Sequence, residues 1–306
     1  MIDATQYVGA ITAAQGGVTI GGQRVPLEDV GVLLLGNRAS ISGGALSLLA
    51  RYDVVVLNCD WRGVPDLVGY AWSANSRVAA RHRAQADLSQ PRRKAAWQAI
   101  VKAKILGQQR NLEVAGLHAE ARRLGVLRRE VRSGDPSNCE AQAARVYWSA
   151  VLGDPEFRRV PGADDRVNAL LNYGYTVLRG FVIQAVSAAG LWPTYGIWHR
   201  NRSNSFALAD DLIEPFRPAV DHCVVTLGPH ATLDERDVKR RLVAVTSVPM
   251  GSSGTTVASA IYDFASAFAL YAEGEKDVLD APSWSPPPNS LDASFPYLDV
   301  GEGEDG

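Results

Sequence analysis

Apolar and polar positions follow one pattern in the first quarter of the chain and another in the rest. Short apolar, β-branched runs at Gly17–Ile20, 30–35 and 54–58 are separated by the turn pairs Gly21-Gly22 and Gly36-Asn37. Runs of that length between dense turn signals predict strands. Residues 1–75 are therefore expected to form a small antiparallel, β-sandwich-like domain. Gly63, Pro65 and the polar stretch 72–86 predict a hinge, placed at 76–88.

From Ser89 the period changes from two to about 3.6. Ser89-Gln90-Pro91 reads as a helix start, followed by Ala95, Ile100, Val101, Ile105 and Leu106 on one face. Asp135-Pro136 reads as a second start, with Asp suited to the cap and Pro to the first turn. A long helix from about Asp164 should stop at Gly190, with Val167, Leu171, Leu178, Phe181, Val182 and Val186 on its apolar face. Thr232 with Glu235 matches a capping box, and 254–272 supplies one more helix. The fold class is thus α+β, a β domain followed by a larger all-α domain at 89–280. Residues 281–306 carry five prolines, five acids and no base, which predicts a mostly disordered tail. Trp284, Phe295 and Tyr297 would let that tail dock on a partner.

Size and composition add bounds. At 306 residues with 46% hydrophobic content the chain can bury a real core. No stretch approaches the roughly 18 apolar residues of a membrane span, and the N-terminus lacks the order of a signal peptide. A cytoplasmic location without membrane contact is expected. Cys59, Cys139 and Cys223 lie far apart without CxxC pairing, which points to neither a zinc site nor a disulfide framework.

The net charge of −2 hides a separation: fourteen Lys/Arg against four acids over 77–132, and nine acids against Lys276 alone from 273 onward. The basic region suits a phosphate backbone or, equally, a solvated helix face.

Three places could carry chemistry. Glu140 stands one turn inside the helix expected from Pro136, above Ala143, Ala144 and Tyr147, so it either bonds something specific or is a partly exposed acid near a helix end. His199 lies in a Gly-, Pro- and aromatic-rich loop that could position it for catalysis or simply pack it. Asp210, Asp211 and Glu214 follow Ser205. Asp211 and Glu214 share a helix face, where a divalent metal or Arg217 would relieve their repulsion. One His with several carboxylates and no thiolate suits Mg²⁺ or Mn²⁺, the ions of phosphodiester chemistry. Walker, GxSxG and HExxH motifs are absent from the sequence.

At these residues the chain resembles the Cas1 integrases of CRISPR adaptation, in the form found beside Cas9. Asp135-Pro-Ser-Asn138-Cys-Glu140-Ala-Gln-Ala-Ala144-Arg-Val-Tyr147-Trp resembles the family's glutamate motif. Asn168-Ala-Leu-Leu-Asn172-Tyr-Gly-Tyr175-Thr-Val-Leu-Arg179 resembles its central helix. Trp198-His199-Arg200-Asn201 and Asp211-Leu-Ile-Glu214-Pro-Phe-Arg217-Pro-Ala-Val-Asp221 resemble its histidine and acidic motifs. Ala141 stands where the family often has Gly, and Trp198 where a second His is common.

The resemblance implies a metal-dependent DNA integrase with endonuclease activity that inserts spacers into a CRISPR array by 3′-hydroxyl attack at the repeat boundary. Glu140, His199 and Glu214 would hold Mg²⁺ or Mn²⁺ and act as the catalytic set, with Asp211 a candidate further ligand. Implied partners are double-stranded DNA with single-stranded ends, CRISPR repeat DNA, a second copy of the chain, Cas2 and, as a candidate contact, Cas9. Arg92, Arg93, Lys102, Lys104, Arg110, Arg122 and Arg123 are expected to grip the DNA backbone. Tyr173 and Tyr175 could stack on a splayed strand or pack in the core. A general nuclease of branched DNA and a non-catalytic DNA-binding scaffold are the competing readings.

Overall fold

The computed structural model describes residues 1–60, 65–71, 75–199, 201–228, 230–251 and 254–287. The chain divides into two compact units between residues 74 and 75.

The first unit contains β1 (Ile2–Ala4), β2 (Gly9–Ala14), β3 (Gly17–Ile20), β4 (Gln23–Pro26), β5 (Val32–Gly36), β6 (Ala39–Ile41), helix α1 (Gly43–Arg51), β7 (Val55–Cys59) and β8 (Pro65–Gly69). They form two sheets, ordered β1-β5-β7-β8 and β4-β3-β2-β6. Ile2, Leu33, Leu35 and Val56 from one meet Ile11, Val18, Ile20 and Val25 from the other in a shared core. The sandwich-like expectation is met, but the antiparallel one is corrected. β5 pairs parallel with both β1 and β7, and β2 pairs parallel with β6. The sequence patterning did not anticipate α1, whose start is capped by Ser42 accepting from the Ala45 N–H at 3.2 Å. A helical connection is what lets β5 and β7 run the same way, and every residue of β5 is buried, as a central strand requires.

The second unit is helical: α2 (Val78–Asp87), α3 (Gln90–Val114), α4 (His118–Glu130), α5 (Cys139–Leu152), α6 (Arg166–Ala188), α7 (Ala207–Leu212), a 3₁₀ turn Glu214–Phe216, α8 (Arg217–Thr226), α9 (Arg236–Ala244) and α10 (Val257–Ala272). α6 fulfils its sequence expectation, with Asp165 capping the Asn168 N–H at 3.1 Å and Gly190 at φ +62° beyond its end. The span expected as a hinge carries α2, whose polar residues are spent on fixed contacts. Gln85 accepts from the Trp192 N–H at 2.7 Å, and Arg81 donates to the Ala189 carbonyl at 2.6 Å.

α3 is not a one-faced helix. Ala95 is exposed and Leu106 only half-buried, while Ala96, Trp97, Ile100, Val101, Ala103, Ile105, Gln108 and Asn111 are buried around much of its circumference. A Cβ on Gly107 would lie 2.9 Å from Pro218 and 3.1 Å from Trp284, so glycine permits their approach. Trp284, expected in a disordered tail, is 1% exposed and donates its indole N–H to Asn111 Oδ1 at 2.8 Å. Ser283 and Trp284 are thus anchored on α3, and the Ser285 N–H donates to the Met250 carbonyl at 3.0 Å. Residues 288–306, with Phe295 and Tyr297, lie outside the described residues. Thr232 and Glu235 do make a capping contact, 2.9 Å from N–H to carboxylate, but it closes a turn and α9 starts only at Arg236.

Candidate active site

Glu140 enters the site from the first turn of α5. That helix begins at Cys139, three residues later than the Asp135-Pro136 signal suggests. The Asp135 carboxylate accepts from the N–H groups of Cys139 at 2.8 Å and Glu140 at 3.0 Å. Asn138, in the left-handed region at φ +52°, accepts from Ala141. Asp135 therefore serves the helix end as the sequence suggested, but across an intervening turn.

Glu214 comes from the 3₁₀ turn between α7 and α8 and is buried. Both glutamates converge on Lys104 of α3, whose Nζ lies 2.6 Å from Glu140 Oε1 and 2.6 Å from Glu214 Oε2. The two carboxylates are therefore separated by no more than about twice that distance. Arg217 donates from Nε to Glu214 Oε1 at 2.9 Å. Burial would raise the pKa of Glu214, but Arg217 and Lys104 outweigh it and hold the acid at about 2. Burial would likewise depress Lys104, and the two glutamates more than offset that, raising it.

Asp211, which the sequence put on one face with Glu214, points elsewhere. It is fully buried and accepts from the backbone N–H groups of Ile197 at 2.5 Å, Trp198 at 2.9 Å and His199 at 3.2 Å. Its Oδ1 also meets His199 Nδ1 at 2.5 Å. It thus shapes the loop and fixes the imidazole, leaving Nε2 as the nitrogen free to face a ligand. Gly196 makes this possible, since a Cβ there would lie 2.6 Å from the His199 carbonyl and 2.9 Å from Asp211 Oδ2. The hydrogen bond to Asp211 raises the pKa of His199 against burial, with Asp211, Glu214 and Glu140 adding their charge. The imidazole and both glutamates thus share one electrostatic environment. Asp210 diverges, pairing with Arg179 at 2.7 Å and Asn204 at 2.7 Å.

A buried network backs the site. The Tyr175 hydroxyl donates to Asp221, and the guanidinium groups of Arg217 and Arg159 lie 4.4 Å and 5.2 Å from the centre of the Tyr175 ring. Burial pushes Asp221 up to about 7 against the pull of Tyr175, Lys104, Arg217 and Arg159. Tyr173 and Tyr175 are both core residues.

The basic residues expected on DNA separate into two groups. Arg92 donates to the carbonyls of Tyr271 at 2.6 Å and Lys276 at 2.7 Å. Arg93 is buried and donates to Gln85 at 2.8 Å, Leu88 at 2.9 Å and Gly196 at 3.2 Å. Arg110 holds Trp284 O at 2.8 Å, and Lys104 belongs to the glutamates. These four cations are committed to the fold and the site. Arg122 and Arg123 are exposed on α4, and Lys102 is half-buried on α3.

Two carboxylates and an imidazole suit a hard divalent ion. Glu214 Oε2 is a buried oxygen without a hydrogen-bond partner, its contact with Lys104 being an ion pair without hydrogen-bond geometry. Among the described residues no three His, Cys, Asp or Glu side chains stand close enough together to hold an ion as arranged. Lys104 supplies the positive charge between the glutamates. Sequence reading named Lys104 only as a DNA contact, because its carboxylate partners lie 36 and 110 positions away.

Comparison with known proteins gives a consistent picture. Residues 15–255 match the family described as CRISPR associated protein Cas1. The chain is 40% identical over 204 residues to the CRISPR-associated endonuclease Cas1 of Neisseria meningitidis, a match spanning 66% of each chain, just under two thirds of that relative. Its fold is similar to that of a casposase bound to integration product, with TM-score 0.71 and 18% identity over 93% of this chain and 95% of that one. It is similar also to a chain of a Cas6-RT-Cas1–Cas2 complex, with TM-score 0.72 and 19% identity over 92% of this chain and 36% of that one. Among the described residues no helix is long and apolar enough to cross a membrane. With the family match covering most of its length and the acidic site in place, the chain belongs to the Cas1 family.

Proposed function

We propose that the chain is a metal-dependent DNA integrase of CRISPR adaptation that joins the 3′-hydroxyl of a captured DNA to a repeat boundary by transesterification. The observation that carries this reading is the meeting of Glu140 and Glu214, from separate elements, on the Lys104 ammonium, with His199 near enough for their charge to help raise its pKa. The Neisseria relative, an endonuclease, and the casposase of like fold bound to integration product support it.

In this reading Glu140, Glu214 and His199 would hold Mg²⁺ or Mn²⁺, which would take over from Lys104 the role of balancing the two glutamates. Bound there, the ion would stabilise charge on the phosphate oxygens and favour the attacking hydroxylate. Asp211 acts through His199 by keeping Nδ1 occupied and the loop fixed. Arg217 remains with Glu214, limiting the repulsion that two acids would feel while the ion is absent. Lys102, Arg122 and Arg123 contribute to holding the DNA backbone. The like fold of a chain from a Cas6-RT-Cas1–Cas2 complex supports assembly with Cas2, for which this chain would act as a homodimer.

The test is strand transfer of a labelled prespacer into a repeat-bearing plasmid, with Cas2 and Mg²⁺ or Mn²⁺ present. Joined products are expected from the wild type, with a loss of about 100-fold or more in Glu140→Ala while the fold is retained. Hydrolysis without joining would favour a general nuclease. Joining unaffected by Glu140→Ala would reject the catalytic reading.

A further inference from the structure

We infer that the cavity beside Glu140 is a subsite for a single unpaired nucleobase, floored by the half-exposed indole of Trp198, with Lys94 placed to meet that nucleotide's phosphate. This rests on the DNA chemistry proposed above. The cavity encloses about 440 Å³ and is lined by Lys94, Trp97, Asp135, Asn138, Glu140 and Trp198, among others. That is the lower part of the range of small-ligand sites and suits one nucleotide rather than a duplex.

The floor is built for stacking. Trp97 is buried at 1% exposure, and Trp198 lies on it with ring centres 5.6 Å apart and planes 5° from parallel. Trp198 is thus supported by the Trp97 ring and still 39% exposed. A large aromatic held rigid from below and open above gives a base a flat partner without ordering a mobile side chain. Among the described lining residues the polar groups are unequally committed. Asp135 is occupied by the N–H groups of Cys139 and Glu140, and Asn138 Oδ1 faces Ala141 N–H. Lys94 is the cation of the lining and is exposed.

Continuity with the reacting centre selects the occupant. Glu140 lines the cavity and also meets Lys104 in the site. A strand whose end reacts at Glu140 must place a neighbouring nucleotide within a few ångströms, and this aromatic-floored cavity adjoins that position. Trp198 directly precedes His199, and Asp211 fixes both by their backbone N–H groups, so the stacking surface and the imidazole keep one register.

The experiment measures binding of a duplex with single-stranded 3′ overhangs in which one abasic residue is moved through the overhang. It uses the full chain as wild type, Trp198→Ala, Trp198→Phe and Lys94→Gln. In the wild type one abasic position should weaken binding about 5-fold or more. That penalty should vanish in Trp198→Ala, persist in Trp198→Phe, and persist in Lys94→Gln on top of a uniform loss. Equal abasic profiles in wild type and Trp198→Ala would overturn the subsite while leaving integration standing, provided strand transfer still depends on Glu140. Absence of DNA binding by the wild type would overturn both readings.

Discussion

Glu140 and Glu214 are drawn together by cations, whereas His199, beside them, is held by an acid. The glutamates come from α5 and a 3₁₀ turn and meet on Lys104 and Arg217. The histidine sits in a loop whose backbone converges on Asp211. The first arrangement depends on charge, so one cation can in principle stand in for another. The second depends on the directions of three N–H groups and a ring nitrogen, which a side chain without two acceptor oxygens cannot satisfy. One half of the site is held by charge, and the other by directed hydrogen bonds.

The largest expected effect breaks the charge-held half. Lys104→Met removes a largely buried partner from two acids and should cost about 3–5 kcal/mol of unfolding free energy in a chelator. Part of that loss should return when Mn²⁺ is added, because an ion can then take the place of the ammonium. Denaturant unfolding with and without metal measures both. A loss below about 0.5 kcal/mol in chelator would show that the glutamates do not need Lys104.

The next tests the fixed half. Asp211→Asn keeps the size but loses the charge and one acceptor. Divalent affinity should fall about 10- to 100-fold, as for other supports of a ligating histidine. In the metal-free protein the imidazole should also titrate closer to the ordinary His value, since the hydrogen bond to Asp211 is the largest cause of its raised pKa. An unchanged histidine titration by NMR would remove Asp211 from this role.

A smaller effect concerns the network behind the charge-held half. Asp221 has a native pKa of about 7 against an ordinary 3.8. The native state keeps a proton that the unfolded chain has lost, so this group's contribution to stability declines as pH rises from about 4 to about 7. Asp221→Asn should flatten that part of the profile of thermal midpoint against pH. A slope identical to wild type would show that Asp221 does not titrate there.

The smallest effect lies outside both halves. Arg122→Ala with Arg123→Ala on the exposed face of α4 should weaken DNA binding severalfold and reduce its log–log salt slope by about 2. Metal affinity should not move. A change in metal binding would mean that α4 supports the site.

Much of this was readable in the sequence where the signal is local. The Asp135–Glu140 segment and the loop before His199 carry their signals within a few residues, whereas Asp211 and Glu214, adjacent on one turn in the sequence, serve different partners, the 197–199 loop and Lys104. The long helix α6 likewise shows its cap, its period and its glycine stop. Non-local facts were not readable. Strand direction in the β unit depends on pairings such as Leu33 with Val56, which no turn signal encodes. The burial of Arg93 depends on carbonyls at 85, 88 and 196, so its charge in a basic run suggested phosphate instead. Trp284 lay in a Pro-rich acidic segment, and only the gap above Gly107 and the Asn111 amide reveal its place.

The central claim is that Glu140, His199 and Glu214 act as one divalent-ion site. Titrating Mn²⁺ into the metal-free protein, followed by the loss of the free-ion electron paramagnetic resonance signal, tests it without any DNA. One ion per chain is expected to bind to the wild type, with affinity reduced at least about 10-fold in each of Glu140→Ala, His199→Ala and Glu214→Ala. Wild-type affinity in any one of the three, with the fold intact, would contradict the account.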